Sequence, residues 1–150
     1  MIFTLILPAF ADGGLIPAKF TCEGANVSPE LRWNAAPANT HSYVLIVDDP
    51  DAPVGVFTHW VLFDITADRL SLAEGASAIG VSGKNDFGRA GYGGPCPPRG
   101  HGPHRYYFTL YALDVASLKL RAGASRREVE TALRGHVLAQ AQYMGRYERR

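Results

Sequence analysis

Three short stretches concentrate the side chains able to hold an anion or move a proton. Asp48-Asp49-Pro50-Asp51-Ala52-Pro53 sets three carboxylates around two prolines, and His59-Trp60 places an imidazole beside an indole. Residues 93–108, GGPCPPRGHGPHRYYF, add two histidines, two arginines and two tyrosines to a glycine- and proline-rich run. Proline fixes φ and lacks an N–H, whereas glycine frees φ, so this third stretch is neither an ordinary helix nor a central strand but a shaped loop. Taken singly, each stretch has a plain structural explanation. An aspartate in an Asp-Pro turn commonly caps its own backbone. A histidine next to a tryptophan is commonly a core residue with one ring nitrogen on a carbonyl. Together they say more, because imidazole, phenol and loop N–H donors converging at the mouths of neighbouring strands make a small anion pocket.

The elements that must carry these groups are mostly strands. Tyr43-Val-Leu-Ile-Val47 is a compact apolar run bounded by Asn39-Thr40 and Asp48-Asp49-Pro50, as a buried strand requires. Thr58–Ile65 is dense in residues suited to a pleated surface. In Tyr106–Leu113, residues Tyr106, Phe108, Leu110 and Ala112 share one face, and His104, two before Tyr106, shares it too, which sends Arg105 to the other face, towards one of the aspartates. Ile2–Leu7 reads as a first strand, with weaker elements at Phe20, Leu31–Trp33 and Ala78–Val81. Ser125-Arg-Arg-Glu128 has capping-box spacing, which predicts a helix over 125–134 closed by Gly135. Beyond it two periods compete: Leu133, Val137, Ala141 and Met144 continue a helical stripe, while Val137, Ala139, Ala141 and Tyr143 alternate as a strand does. The glycine favours a strand near 137–147. Ser82–His104 holds no regular element, and Phe87, Tyr92 and its prolines mark it as an ordered binding loop.

Whole-chain totals narrow the field. A chain of 150 residues suits one domain over 1–150, with a core large enough to need no metal or disulfide net. A net charge of +1 provides no basic stripe for nucleic acid. Pro8 cuts the leading apolar run, no positive segment precedes it, and nothing approaches the ~18 apolar residues of a membrane span, so the reading is a cytoplasmic protein. In that setting Cys22 and Cys96 are expected as reduced thiols, although they could pair if the fold made them neighbours. No GxSxG, Walker or HExxH pattern occurs, and His101-x-x-His104 in a loop is a weak metal signal, so neither cofactor nor metal is assigned.

DPDAP at 49–53, HW at 59–60 and GPCPPRGHGPHRYYF at 94–108 resemble the paired signatures of the phosphatidylethanolamine-binding protein family, in its bacterial Raf-kinase-inhibitor-like branch. FTCEGANVSPELRW at 20–33, NDFG at 85–88 and YALD at 111–114 extend the resemblance over nearly the whole chain. It implies a mainly β, Greek-key fold with a large central antiparallel sheet, a smaller second sheet and one or two short helices. It also implies a pocket for phosphate or a phosphorylated head group, shaped by Asp49, Asp51, Pro53, His59, Pro98, His104 and Tyr106. Cys96 adds a backbone donor between Pro95 and Pro97, which have none. The C-terminal lid helix of eukaryotic members has no counterpart, which implies a more open pocket. Some relatives inhibit a kinase or a protease, and bacterial ones suggest a homodimer. The expected function is therefore a non-enzymatic anion binder, with His59 and Tyr106 donating to the anion, Asp49 orienting a histidine and His104 adding charge. The alternative is a hydrolase or other enzyme with Asp49 and His59 as an acid–base pair.

Overall fold

Tyr43–Val47 is apolar at every position because both faces of its strand are covered. In the computed structural model, which describes residues 2–76 and 78–150, this run lies in β3 (Ser42–Asp49), the middle of a five-stranded sheet. Its Tyr43, Leu45 and Val47 enter one core, and Val44 and Ile46 enter another on the reverse face. Seven further strands complete the two sheets: β1 (Thr4–Ile6), β2 (Leu31–Asn34), β4 (Phe57–Thr66), β5 (Ser71–Leu72), β6 (Val81–Ser82), β7 (His104–Leu113) and β8 (Val137–Tyr147). The large sheet runs β6-β4-β3-β7-β8 and the small one β1-β2-β5, every pairing antiparallel.

The first core lies between the sheets. Leu5, Leu31, Trp33 and Leu72 of the small sheet meet Tyr43, Leu45, Leu62, Phe108 and Leu110 of the large one. Tyr106, Phe108, Leu110 and Ala112 are all buried on that side, as their alternation in sequence predicts. The second core lies under the helix α1 (Arg126–Leu133), whose Val129 and Leu133 cover Val44, Ile46, Val61 and Phe63. Ser125 caps the helix: its side chain accepts from the Glu128 N–H while the Glu128 carboxylate accepts from the Ser125 N–H. Gly135, at φ 80°, takes the left-handed conformation that releases the chain from helix to strand. Strand periodicity therefore prevails over the helical stripe, and residues 137–147 form β8. Phe20 lies in a single 3₁₀ turn, Ala18–Phe20, rather than in a strand.

The cysteines depart from the expectation of reduced thiols. Cys22 and Cys96 form a disulfide with Cα atoms 5.4 Å apart. The Cys22 N–H donates to the Pro95 carbonyl, Tyr92 Oη donates to Phe20 O and the Gly94 N–H donates to Asn26 Oδ1, so backbone contacts already draw the two turns together. A spacing of 74 residues hides that proximity in the sequence. Among the described residues no helix is long and apolar enough to cross a membrane.

Candidate functional site

Antiparallel pairing makes neighbours of the C-terminal end of β3 and the N-terminal ends of β4 and β7. Asp49 lies opposite Phe57, and Val47 lies opposite both Trp60 and Phe108. The side chains that straddle these rungs surround a cavity of about 240 Å³. Of the residues expected from sequence, Asp49, Pro53, His59, Cys96, Pro98, His104 and Tyr106 line it. Asp51 does not. Its carboxylate receives Arg105 Nε at 2.9 Å, Arg105 Nη2 at 2.7 Å and the Arg105 N–H at 2.9 Å, and those bonds hold its pKa at about 2. The turn that follows Pro50 faces Asp51 outward because Asp49 Oδ1 already accepts the Asp51 N–H at 2.7 Å. Asp51 and Arg105 thus tie the 50–53 turn to β7 from outside the cavity.

Inside, the polar groups divide into spent and available ones. Asp49, 3% exposed, also accepts from His104 Nδ1 at 2.7 Å. The other nitrogen of His104, Nε2, shares a proton with His101 Nδ1 across 2.6 Å. Both His104 nitrogens are occupied, so its ring walls the cavity and holds the carboxylate but has no bond left for a ligand. The histidine partnered by Asp49 is His104, not the His59 of the acid–base alternative. His59 Nδ1 lies 2.7 Å from the Gly93 carbonyl, an arrangement that requires an N–H at Nδ1 and leaves Nε2 as the free nitrogen. Burial pushes the His59 pKa below its ordinary value, so the neutral ring presents a lone pair there. Tyr106, 1% exposed, is the opposite case: its hydroxyl has no hydrogen-bond partner among the described residues. Burial first, then the nearby Asp49 charge, raises its pKa and keeps the phenol protonated as a donor.

Part of the wall is aromatic. His59 and Tyr106 meet edge to face with centroids 5.2 Å apart, and Phe57 and Phe87 stand 5.0 and 5.4 Å from the His59 ring. Sequence reasoning passed over Phe57 and Phe87 as site residues; the only signals were the place of Phe57 two before His59 and of Phe87 within NDFG. Phe87 is set by Asn85, which is 3% exposed, accepts the Phe87 and Arg89 N–H groups and donates to the Gly91 carbonyl at 2.9 Å. The Thr58 N–H donates to Asp86 and the Gly93 N–H to His59 O, which staples the 85–94 loop to β4. At Gly94 a Cβ would lie 2.2 Å from Phe20 O, so only glycine allows the loop to close on the disulfide-linked turn. Asn85→Ala removes three bonds made by a buried amide, and we expect it to lower unfolding free energy by about 3 kcal/mol. Urea denaturation measures that loss, and the Phe87 ring signals should broaden with it.

The described residues contain no cluster of three or more histidine, cysteine, aspartate or glutamate side chains able to hold a metal ion. Comparison with known proteins finds relatives over nearly the whole chain. The family described as phosphatidylethanolamine-binding protein matches residues 7–148. A UPF0098 protein of Aquifex aeolicus is 51% identical over 146 residues, covering 94% of this chain and 85% of that protein. A Mycobacterium tuberculosis relative named as a lipoprotein, LppC, is 45% identical, covering 97% of this chain and 72% of its own. Among solved structures, a phosphatidylethanolamine-binding protein homologue of Chlamydia trachomatis superposes with a TM-score of 0.93 at 40% identity, covering 99% of each chain. Escherichia coli YbcL, described as a new member of the mammalian family, matches at 0.93 and 32% identity over both whole chains.

Proposed function

Because the chain belongs to the phosphatidylethanolamine-binding protein family, we propose that its cavity binds the phosphoryl group of a small molecule or lipid head group, and that the protein acts by binding rather than by catalysis. The observation that carries this reading is the orphaned Tyr106 hydroxyl. A buried hydroxyl without a partner costs about 1–3 kcal/mol. A ligand oxygen in the cavity removes that cost and gains a charge-assisted bond. His59 Nε2 completes the pair. It takes a hydrogen from a singly protonated phosphoryl group, or carries the proton itself and donates to a dianion.

The remaining groups support binding over chemistry. Both Asp49 oxygens and both His104 nitrogens are engaged, which leaves no free carboxylate–imidazole couple beside the open volume. The Cys96 sulfur is tied in the disulfide and offers no thiolate. Two bonds to a bare anion hold it at about the millimolar level, roughly 4 kcal/mol. Tighter binding draws on the carrier of the phosphoryl group, which would rest on Phe57, Phe87 and the exposed Val54 at the mouth.

Phosphate titration followed by NMR tests the reading. The His59 and Tyr106 ring signals should shift together; unchanged signals at tens of millimolar phosphate would remove it. Tyr106→Phe separates binding from stability. It deletes a hydroxyl that has no hydrogen-bond partner among the described residues, so the melting temperature should hold or rise, while phosphate affinity drops roughly tenfold or more for one lost charge-assisted bond of about 1.5–3 kcal/mol.

A further inference from the structure

Among the described residues that line the cavity there is no lysine or arginine. Arg105, between His104 and Tyr106, is turned outward onto Asp51, while the buried Asp49 carboxylate stands in the wall. Sites for doubly charged phosphates are ordinarily furnished with guanidinium or ammonium groups, which neutralise the charge as they bond to it. This wall offers instead one hydrogen-bond donor beside one acceptor.

The donor is the Tyr106 hydroxyl, buried and without a partner among the described residues. The acceptor is His59 Nε2, and backbone geometry makes it one. The ring Nδ1–H donates to the Gly93 carbonyl at 2.7 Å, and Gly93 is held there because its own N–H donates to the His59 carbonyl at 2.9 Å. Gly94 follows, with its N–H on Asn26 Oδ1. The tautomer is therefore set by the backbone before any ligand arrives. The other titratable side chains in the wall, Asp49 of β3 and His104 of β7, are bonded to each other and supply no hydrogen to Nε2. Burial opposes the imidazolium that would supply one. The His59 and Tyr106 rings stand 5.2 Å apart, so one tetrahedral group reaches both.

A donor beside an acceptor is complementary to an acceptor beside a hydrogen. A singly protonated phosphate monoester has that pair: one oxygen accepts from Tyr106 and the P–O–H donates to His59. A phosphodiester has the same charge, but carbon stands where the hydrogen would be. Its oxygen meets the Nε2 lone pair as acceptor against acceptor, and both buried groups stay unsatisfied. We infer, resting on the phosphoryl reading of the cavity, that the site selects phosphate monoesters and rejects phosphodiesters, with His59 as the residue that discriminates. The ligand is then a molecule that ends in phosphate, and a phospholipid whose head group is joined through a diester is excluded.

Methyl phosphate, dimethyl phosphate and methyl sulfate test this at pH ~6, where about half of the monoester is singly protonated. Methyl sulfate has the shape of the monoester and lacks only its hydrogen, so it separates hydrogen bonding from the bulk of a second methyl group. Followed by the His59 and Tyr106 ring signals, methyl phosphate should bind roughly tenfold more tightly than either of the others. His59→Gln, whose amide N–H donates to any anion, should bring the three affinities together by strengthening the diester and the sulfate. Tyr106→Phe should weaken all three alike and keep their ratio. Should the glutamine variant not fold, the wild-type ranking decides, together with nitrogen NMR of His59, which should show a bare Nε2. Vesicles of equal parts phosphatidylcholine and phosphatidic acid, a lipid monoester, are compared with vesicles of equal parts phosphatidylcholine and phosphatidylglycerol, a diester. Retention on the first alone assigns a lipid monoester; capture of methyl phosphate with retention on neither assigns a soluble one. Dimethyl phosphate or methyl sulfate binding as tightly as methyl phosphate, equal retention on both vesicles, or a proton on Nε2 of the free protein would overturn the selectivity and leave the phosphoryl reading standing. Failure of methyl phosphate and inorganic phosphate alike to bind would remove both.

Discussion

Sulfate affinity should fall about tenfold for each pH unit above the His59 pKa, roughly a hundredfold between pH 6.5 and 8.5. Nδ1–H of His59 is committed to the Gly93 carbonyl, so a ligand oxygen meets Nε2, and sulfate has no hydrogen to give it. Binding sulfate therefore requires an imidazolium. Burial lowers the pKa of His59 from 6.5 in the empty cavity, and each pH unit above it adds 1.36 kcal/mol of proton uptake to the binding reaction. The sign follows: affinity is full below the folded pKa and is lost as pH rises through it.

A phosphate monoester behaves differently because it brings its own proton. Either partner can hold the hydrogen between Nε2 and oxygen, so affinity declines only above the higher of two pKa values, that of His59 and the second ionisation of the ester near pH ~6. His59→Gln supplies permanent N–H donors and should give a nearly flat pH profile for both anions. That variant also separates His59 from His104 and His101, whose rings remain. Chemical-shift titrations at several pH values measure all three profiles; a flat wild-type profile with sulfate would show that His59 takes no part.

Breaking the disulfide should have the largest effect on stability. Cys22 and Cys96 are 74 residues apart, and releasing a loop of that size restores chain entropy to the unfolded state worth about 4 kcal/mol. Proteins of this size hold about 5–15 kcal/mol in all. The doubly substituted chain, Cys22→Ser with Cys96→Ser, should still fold because the Cys22–Pro95, Tyr92–Phe20 and Gly94–Asn26 bonds and the two cores remain. Its urea midpoint should drop well below that of the parent. Dithiothreitol should reproduce the drop, since Cys22 lies at the surface. Ligand affinity should fall as well, because Cys96 is part of the cavity wall. A loss under about 1 kcal/mol would mean that the hydrogen bonds alone hold the two turns.

Much of this architecture is legible one strand at a time. The unbroken apolar run at 43–47 announces a strand covered on both faces, and the alternation at 106–112 assigns one side of β7 to the core, because burial acts on every residue locally. The same reasoning sends Arg105 away from His104 and Tyr106. It does not extend to partners. Asp51 reads like Asp49 in sequence, and only the direction of one turn gives the first to Arg105 and the second to His104. β5, two residues long, carries no period to detect, and it exists because Leu31 and Arg32 offer it a neighbour.

Local pattern suffices for the β-rich class, the capped helix, the strand ends that carry polar groups and a shaped loop after residue 82. Those properties follow from local sterics and from burial patterns with periods of two or 3.6. Only the folded chain shows that two cysteines 74 residues apart are bonded, that His104 is spent while His59 keeps a nitrogen free, and that Tyr106 Oη has no hydrogen-bond partner among the described residues. Hydrogen bonding and disulfide formation act over a few ångströms between segments that only folding brings together, and no local pattern records which donor will reach which acceptor.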